Sequence, residues 1–194
     1  MIGSIRGQIL AKTPPQLTVE AGGLGYELEA PMSTYFHLPA VGQEVRLLTH
    51  LVVREDAHVL YGFGTEEERR LFRNLIKVSG VGPKIALALL SGVSVEAFAA
   101  CVYNEDVTAI TRVPGIGRKT AERLIVEMRD RLGTPDARGS GAQAGGSAQA
   151  DALGALLALG YRPAEASMLL KSAGPGEHST EELIRRALQG AVRE

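Results

Sequence analysis

One cysteine, Cys101, is all the sequence contains. A single thiol forms no intrachain disulfide and supplies no thiolate set for a metal. The four histidines, His37, His50, His58 and His178, show no ligand spacing. His50 and His58 would meet only across a hairpin, so neither a metal nor a cofactor is expected. Long hydrophobic runs are missing too, since none approaches the roughly 18–20 residues that a membrane helix needs. The opening Met1-Ile2-Gly3-Ser4-Ile5-Arg6 lacks the charged-then-apolar pattern of a leader. A cytosolic protein without a membrane partner is the expectation. Nor is there an excess of positive charge, the usual footprint of a nucleic-acid partner. Lys and Arg number 21 against 22 Asp and Glu, for a net charge of −1. By segment, residues 1–64 hold four cations against six acids, 65–130 ten against nine, and 151–194 five against six. Any anion binding must come from locally placed cations and backbone donors, not from a global field.

What is present divides by pattern. With 45% hydrophobic and 22% charged residues among 194, the chain has room for one large domain or two to three small ones. Up to Gly64, short β-branched or alternating segments are punctuated by Pro14-Pro15 and Gly22-Gly23-Leu24-Gly25. Two longer segments, 44–53 and 58–63, flank Arg54-Glu55-Asp56-Ala57. Five or six such strands suit a small closed barrel of the OB type over residues 1–64. From Thr65, an N-cap ahead of Glu66-Glu67-Glu68, helical spacing runs to Leu132 with breaks at glycine turns. Residues 133–150, rich in Gly, Ala, Ser and Gln, read as a flexible linker. Residues 151–194 regain helical periodicity in three short helices. Gly160 ends the first, Pro163 opens the second, and Ser179 with Glu182 caps the third.

The chemistry lies in a repeat. Leu75-Ile76-Lys77-Val78-Ser79-Gly80-Val81-Gly82-Pro83-Lys84 recurs 35 residues on as Ile110-Thr111-Arg112-Val113-Pro114-Gly115-Ile116-Gly117-Arg118-Lys119. Each copy is an apolar helix end, a Gly-apolar-Gly turn, and a lysine two places beyond the second glycine. Such turns lead into helix N-termini, whose first amides lack intrahelical partners and whose dipole end is positive. That combination is an anion site. Val81 and Ile116 would plug each turn into the core, while Lys84, Lys119, Arg118 and Arg123 add charge facing a phosphate. Donors aimed at phosphate carry no base information, so the predicted binding is sequence-independent and steeply salt-dependent. A nucleotide P-loop is excluded because Pro83 and Arg118 stand where that motif needs glycine before lysine. A dinucleotide fingerprint lacks its third glycine.

In this order, the barrel with its Arg54-Glu55-Asp56 tip, two glycine hairpins, tether and small helical module resemble the RuvA family of Holliday junction-binding subunits. The Ala158-Leu159-Gly160-Tyr161-x-Pro163-x-Glu165-Ala166 stretch adds to the likeness. The resemblance covers essentially the whole chain. It implies a multidomain α+β protein: an OB-fold barrel, a central domain of tandem helix-hairpin-helix motifs at 65–132, and a UBA-like three-helix bundle at the end. The DNA-binding set would be Gly80, Val81, Gly82, Lys84, Gly115, Ile116, Gly117, Arg118, Lys119, Arg123 and Arg54. Glu55 and Asp56 would form an acidic pin at the centre of a four-way junction. Leu156, Leu159, Tyr161 and Leu188 match apolar positions at the contact with the hexameric ATPase RuvB, although the core of the bundle accounts for some of them equally. The implied assembly is a homotetramer or octamer serving recombination and repair alongside the resolvase RuvC, with no catalytic residue of its own.

Two other readings stay open on sequence. One is a helix-hairpin-helix repair nuclease or glycosylase, although the aspartate that such glycosylases place after the hairpin is missing. The other is an adaptor in which the hairpins are purely structural.

Overall fold

The structure, a computed structural model, describes residues 1–132, 148–172 and 179–191. The chain falls into two compact units, Met1–Gly133 and Thr134–Glu194.

The first unit opens with five strands: β1 (Ser4–Thr13), β2 (Gln16–Ala21), β3 (Leu24–Glu29), β4 (Glu44–Val53) and β5 (His58–Phe63). They close in the order β1-β2-β3-β5-β4, with β3 and β5 parallel and the remaining pairs antiparallel. This is the OB arrangement expected from the strand pattern. Closure depends on β1, which pairs with β4 over Ser4–Gln8 and with β2 over Gln8–Thr13. Gly7 sits where the strands press together, and a Cβ there would lie 1.9 Å from the Glu20 carbonyl oxygen. The turn expected over residues 22–25 is tighter than the sequence suggests. Ala21 pairs with Leu24, leaving Gly22 and Gly23 at φ +62° and +80°, the positive φ pair of a type I′ hairpin. The barrel is filled by Ile5, Ile9, Leu17, Val19, Leu28, Leu47 and Leu60.

Five helices follow: α2 (Glu66–Leu75), α3 (Pro83–Gly92), α4 (Val95–Tyr103), α5 (Val107–Thr111) and α6 (Arg118–Leu132); a short α1 (Met32–Tyr35) lies between β3 and β4. Thr65 caps α2 as expected, its Oγ1 accepting from the Glu68 amide at 3.2 Å. Glu68 stands in the first turn of α2 as expected, and it does more there than offset the helix dipole. Its carboxylate is buried, accepting from Thr34 Oγ1 at 2.7 Å and from the Gly64 amide at 3.2 Å. It ties α1 to the point where the chain leaves the barrel. Barrel and helices also share one core, because Tyr61 and Phe63 of β5 lie 4.9 Å and 5.0 Å from the ring of Phe72 on α2.

His50 sits at this joint. Its ring is 5.7 Å from Phe72, and its Nδ1 accepts from Arg73 Nε at 3.3 Å. In the β4–β5 ladder His50 pairs with Tyr61 and His58 with Val53, so the two are not cross-strand partners, and no His/Cys/Asp/Glu cluster suited to a metal is found among the described residues. Burial, with Arg73 and Arg69 next in effect, holds the His50 pKa below the ordinary value of 6.5. The folded form thus binds fewer protons than the unfolded chain, and stability present above about 6.5 is lost as pH falls through the lowered value. The thermal midpoint should drop more steeply below pH 6.5 in the native protein than in His50→Gln; parallel profiles would contradict the assignment.

The second unit holds α7 (Ala148–Ala158), α8 (Pro163–Ser172) and α9 (Thr180–Ala191), the three helices expected. Helix α7 takes in residues 148–150, the last three of the linker anticipated over 133–150, and the rest of that linker lies outside the described residues. Gly174-Pro175-Gly176, a turn signal that the sequence places after the second of these helices, also lies outside the described residues. Small side chains let the helices approach: Ala152 meets Leu183, and Leu156 meets Ala166 and Ala187. No single described helix is long and apolar enough to cross a membrane.

Candidate nucleic-acid interface

The 35-residue repeat in sequence is a repeat in hydrogen bonds. Before the first bend, the Val78 amide donates to Leu75 O at 3.0 Å and Val81 to Val78 O at 3.0 Å. Before the second, Val113 donates to Ile110 O at 3.2 Å and Ile116 to Val113 O at 3.1 Å. Gly80 and Gly115 carry φ of +88° and +87°, which L side chains rarely adopt. Val81 and Ile116 are 4% and 5% exposed, so each bend is plugged into the core as expected. Around these plugs, Gly80, Gly82, Gly115 and Gly117 are all exposed.

The second glycine of each bend has a different reason. Gly82 has φ −86°, open to any residue, and a Cβ at Gly82 or Gly117 would meet nothing within 4 Å. The fold itself has no need of glycine at either place. Without a Cβ, the backbone at both places is open to close approach from outside. Gly82 is the N-cap of α3 and has no side chain to cap it, and the first intrahelical bond runs from Ala86 N to Gly82 O. Pro83 brings no N–H. The amides of Lys84 and Ile85 therefore lack helical acceptors. In the second copy Ala121 N donates to Gly117 O at 2.9 Å, which leaves Arg118, Lys119 and Thr120 in the same position.

The two bends also face each other. A Cβ on Gly80 would lie 3.9 Å from Thr120 Oγ1, and one on Gly115 would lie 3.6 Å from Ile85 Cγ1. Ile85 and Thr120 are themselves 35 residues apart, so the contacts are reciprocal and the hairpins are related by a local two-fold. Such a pair can meet two phosphate strands in equivalent ways.

Among the expected cations, Lys84 and Lys119 are exposed and have no ion pair among the described residues. Arg118 is bridged to Glu122 at 2.9 Å, and Arg123 Nη1 donates to the Ser79 carbonyl at 3.4 Å. Arg123 thus links α6 to the first bend as well as adding charge.

In the hairpin that they form, β4 and β5 pair as far as Val53 and His58. The Arg54 amide donates to Ala57 O at 2.9 Å. Glu55 and Asp56 form the exposed tip, next to an exposed Arg54.

In the second unit the four apolar positions separate. Leu156 is fully buried and belongs to the core of the bundle, which corrects its expected place at a partner contact. Tyr161 and Leu188 pack partly against that core. Leu159 is 62% exposed. Its position follows from the end of α7, where Gly160 at φ +99° donates to Leu157 O at 3.1 Å and Tyr161 N reaches Leu156 O at 3.2 Å, a Schellman motif. Met168 on α8 is likewise exposed, at 71%.

Residues 1–62 match the family model for the RuvA N-terminal domain, 72–130 the SAM-like helix-hairpin-helix tandem, and 147–191 the RuvA C-terminal domain. Among curated proteins, the Holliday junction branch migration complex subunit RuvA of Methylococcus capsulatus is 55% identical, with 100% of each chain covered. Its namesake in Alkalilimnicola ehrlichii is 53% identical, again with 100% of each covered. That of Halorhodospira halophila is 55% identical over 99% of this chain and 98% of its own.

Proposed function

The chain belongs to the RuvA family, and on that premise we propose that it binds four-way DNA junctions by their phosphate backbones and recruits a separate motor to move them. The observation that carries this reading is the pair of outward glycine bends whose second glycine the fold does not require. Amides and lysines at Gly82–Lys84 and Gly117–Lys119 take phosphates on the two strands of one arm, and Arg54 adds a contact near the junction centre. Base edges are not read. The protein acts in the cytoplasm, in recombination and repair, as a tetramer whose subunits each hold one arm, or as two such tetramers. It is not an enzyme; ATP hydrolysis belongs to the hexameric RuvB, reached through the exposed Leu159 side of the C-terminal module. Strand cutting belongs to the resolvase RuvC.

Glu55 and Asp56 act as the pin. Two carboxylates on a protruding turn repel phosphates, and in a four-way assembly they meet at the branch point and keep strands apart. A competition between four-way junction and linear duplex tests both parts. The native protein should strongly prefer the junction and cut neither DNA in Mg²⁺. Glu55→Gln with Asp56→Asn should bind intact duplex more tightly and narrow that preference. Equal binding of both DNAs by the native protein, or strand scission, would defeat the reading.

A further inference from the structure

We propose that Lys77 and Arg112 form a second cation pair of the phosphate-binding surface, one on the N-terminal side of each glycine bend, as Lys84 and Lys119 stand on the C-terminal side. The inference rests on the reading of the bends as phosphate sites and extends it to two residues of the repeat outside the DNA-binding set named above.

The case begins from which cations the fold already uses. Along α2 to α6, Arg69 donates to the carbonyls of Gly3 and Thr49, and Arg73 to His50 and Thr49. Arg118, Arg129 and Arg131 are bridged to Glu122, Glu105 and Glu127. Arg123 is held by the Ser79 carbonyl. That leaves Arg70, Lys77, Lys84, Arg112 and Lys119 without an ion pair or side-chain hydrogen bond among the described residues. Four of these five fall into register: Lys77 and Arg112 are 35 residues apart, as are Lys84 and Lys119. Cations needed only for solubility have no reason to recur at the repeat spacing.

Local structure presents them alike. Lys77 N donates to Asn74 O and Arg112 N to Ala109 O, at 3.3 Å and 3.4 Å. The next residues, Val78 and Val113, are 2% and 6% exposed, which anchors the backbone and leaves Lys77 and Arg112 exposed beside it. The local two-fold that exchanges the bends exchanges this pair as well. A DNA strand resting on the bend amides presents further phosphates to either side, and a cation on each flank meets them. Each hairpin then grips a run of phosphates instead of one.

The test is a salt titration of full-length Lys77→Gln/Arg112→Gln on a four-way junction, beside the native protein and Lys84→Gln/Lys119→Gln. Loss of two phosphate contacts per subunit should flatten the slope of log K against log salt by about 1.8 for each subunit engaged, up to about 7 for a tetramer, and weaken binding by at least about 60-fold at 0.1 M salt. The thermal midpoint should be unchanged, and Lys77→Arg/Arg112→Lys should restore the native slope. A native slope in the Gln pair, or a loss of affinity that tracks a lowered midpoint, overturns the proposal; if Lys84→Gln/Lys119→Gln still flattens the slope, the bends remain phosphate sites. A native protein showing no junction preference would instead overturn the underlying reading.

Discussion

Alanine at both Gly82 and Gly117 is expected to weaken junction binding by at least about a hundredfold while leaving the thermal midpoint almost unmoved. Each added methyl stands in open space within the protein, so it strains nothing in the free molecule. Its effect on stability is a balance of small terms. Restricting the unfolded chain contributes about 0.4–1 kcal/mol, and losing a glycine N-cap costs a comparable amount. Against DNA the methyl stands between the backbone and a phosphate. Loss of one charge-assisted hydrogen bond of about 1.5 kcal/mol at each bend multiplies to about two powers of ten for each subunit engaged. Gly80→Ala with Gly115→Ala gives the contrast, since φ of +88° and +87° makes each cost about 1–2 kcal/mol of stability. Native-like binding by the Gly82/Gly117 variant would mean that the second glycines do not face phosphate.

The other large effect concerns the C-terminal module. A chain ending at Leu132 should bind the junction as the whole protein does, because every bend and pin residue lies in the first unit, Met1–Gly133. Its stimulation of the branch-migration motor should disappear. Within the intact chain, Leu159→Glu should abolish stimulation while the module stays folded, since the side chain is 62% exposed. Leu156→Ala should instead destabilise the module by about 2–5 kcal/mol, because Leu156 fills its core. Motor stimulation by the truncated chain, measured as branch migration of a labelled junction, would show that the division of labour is wrong.

Much of this was legible in the sequence because it rests on local rules. Strand alternation gave all five strands, the 35-residue repeat gave both bends, and Gly160, Pro163 and Ser179 marked the ends of the last three helices. What escaped depended on tertiary placement. The breaks between α3 and α4, and between α4 and α5, carry only weak signals: Ser94 and Asp106, whose capping bonds to Ala97 N and Ala109 N appear in the structure. Glu68 looks like its two neighbours, and only the position of Thr34, 34 residues earlier, buries it. Within each Gly-x-Gly, sequence treats the two glycines alike. The structure separates them, one required by positive φ and the other free of any internal demand. Leu156 and Leu159 likewise share one short apolar run, and the Schellman turn at Gly160 decides which is exposed.

Amide hydrogen exchange on the full-length protein, with and without a four-way junction, reaches the central claim most directly. If the uncapped first turns of α3 and α6 hold phosphate, the amides of Lys84, Ile85, Arg118 and Lys119 should slow markedly on binding, in both copies together. Exchange at those amides at the same rate in the bound and free protein, with the junction demonstrably bound, would place the DNA elsewhere on the molecule.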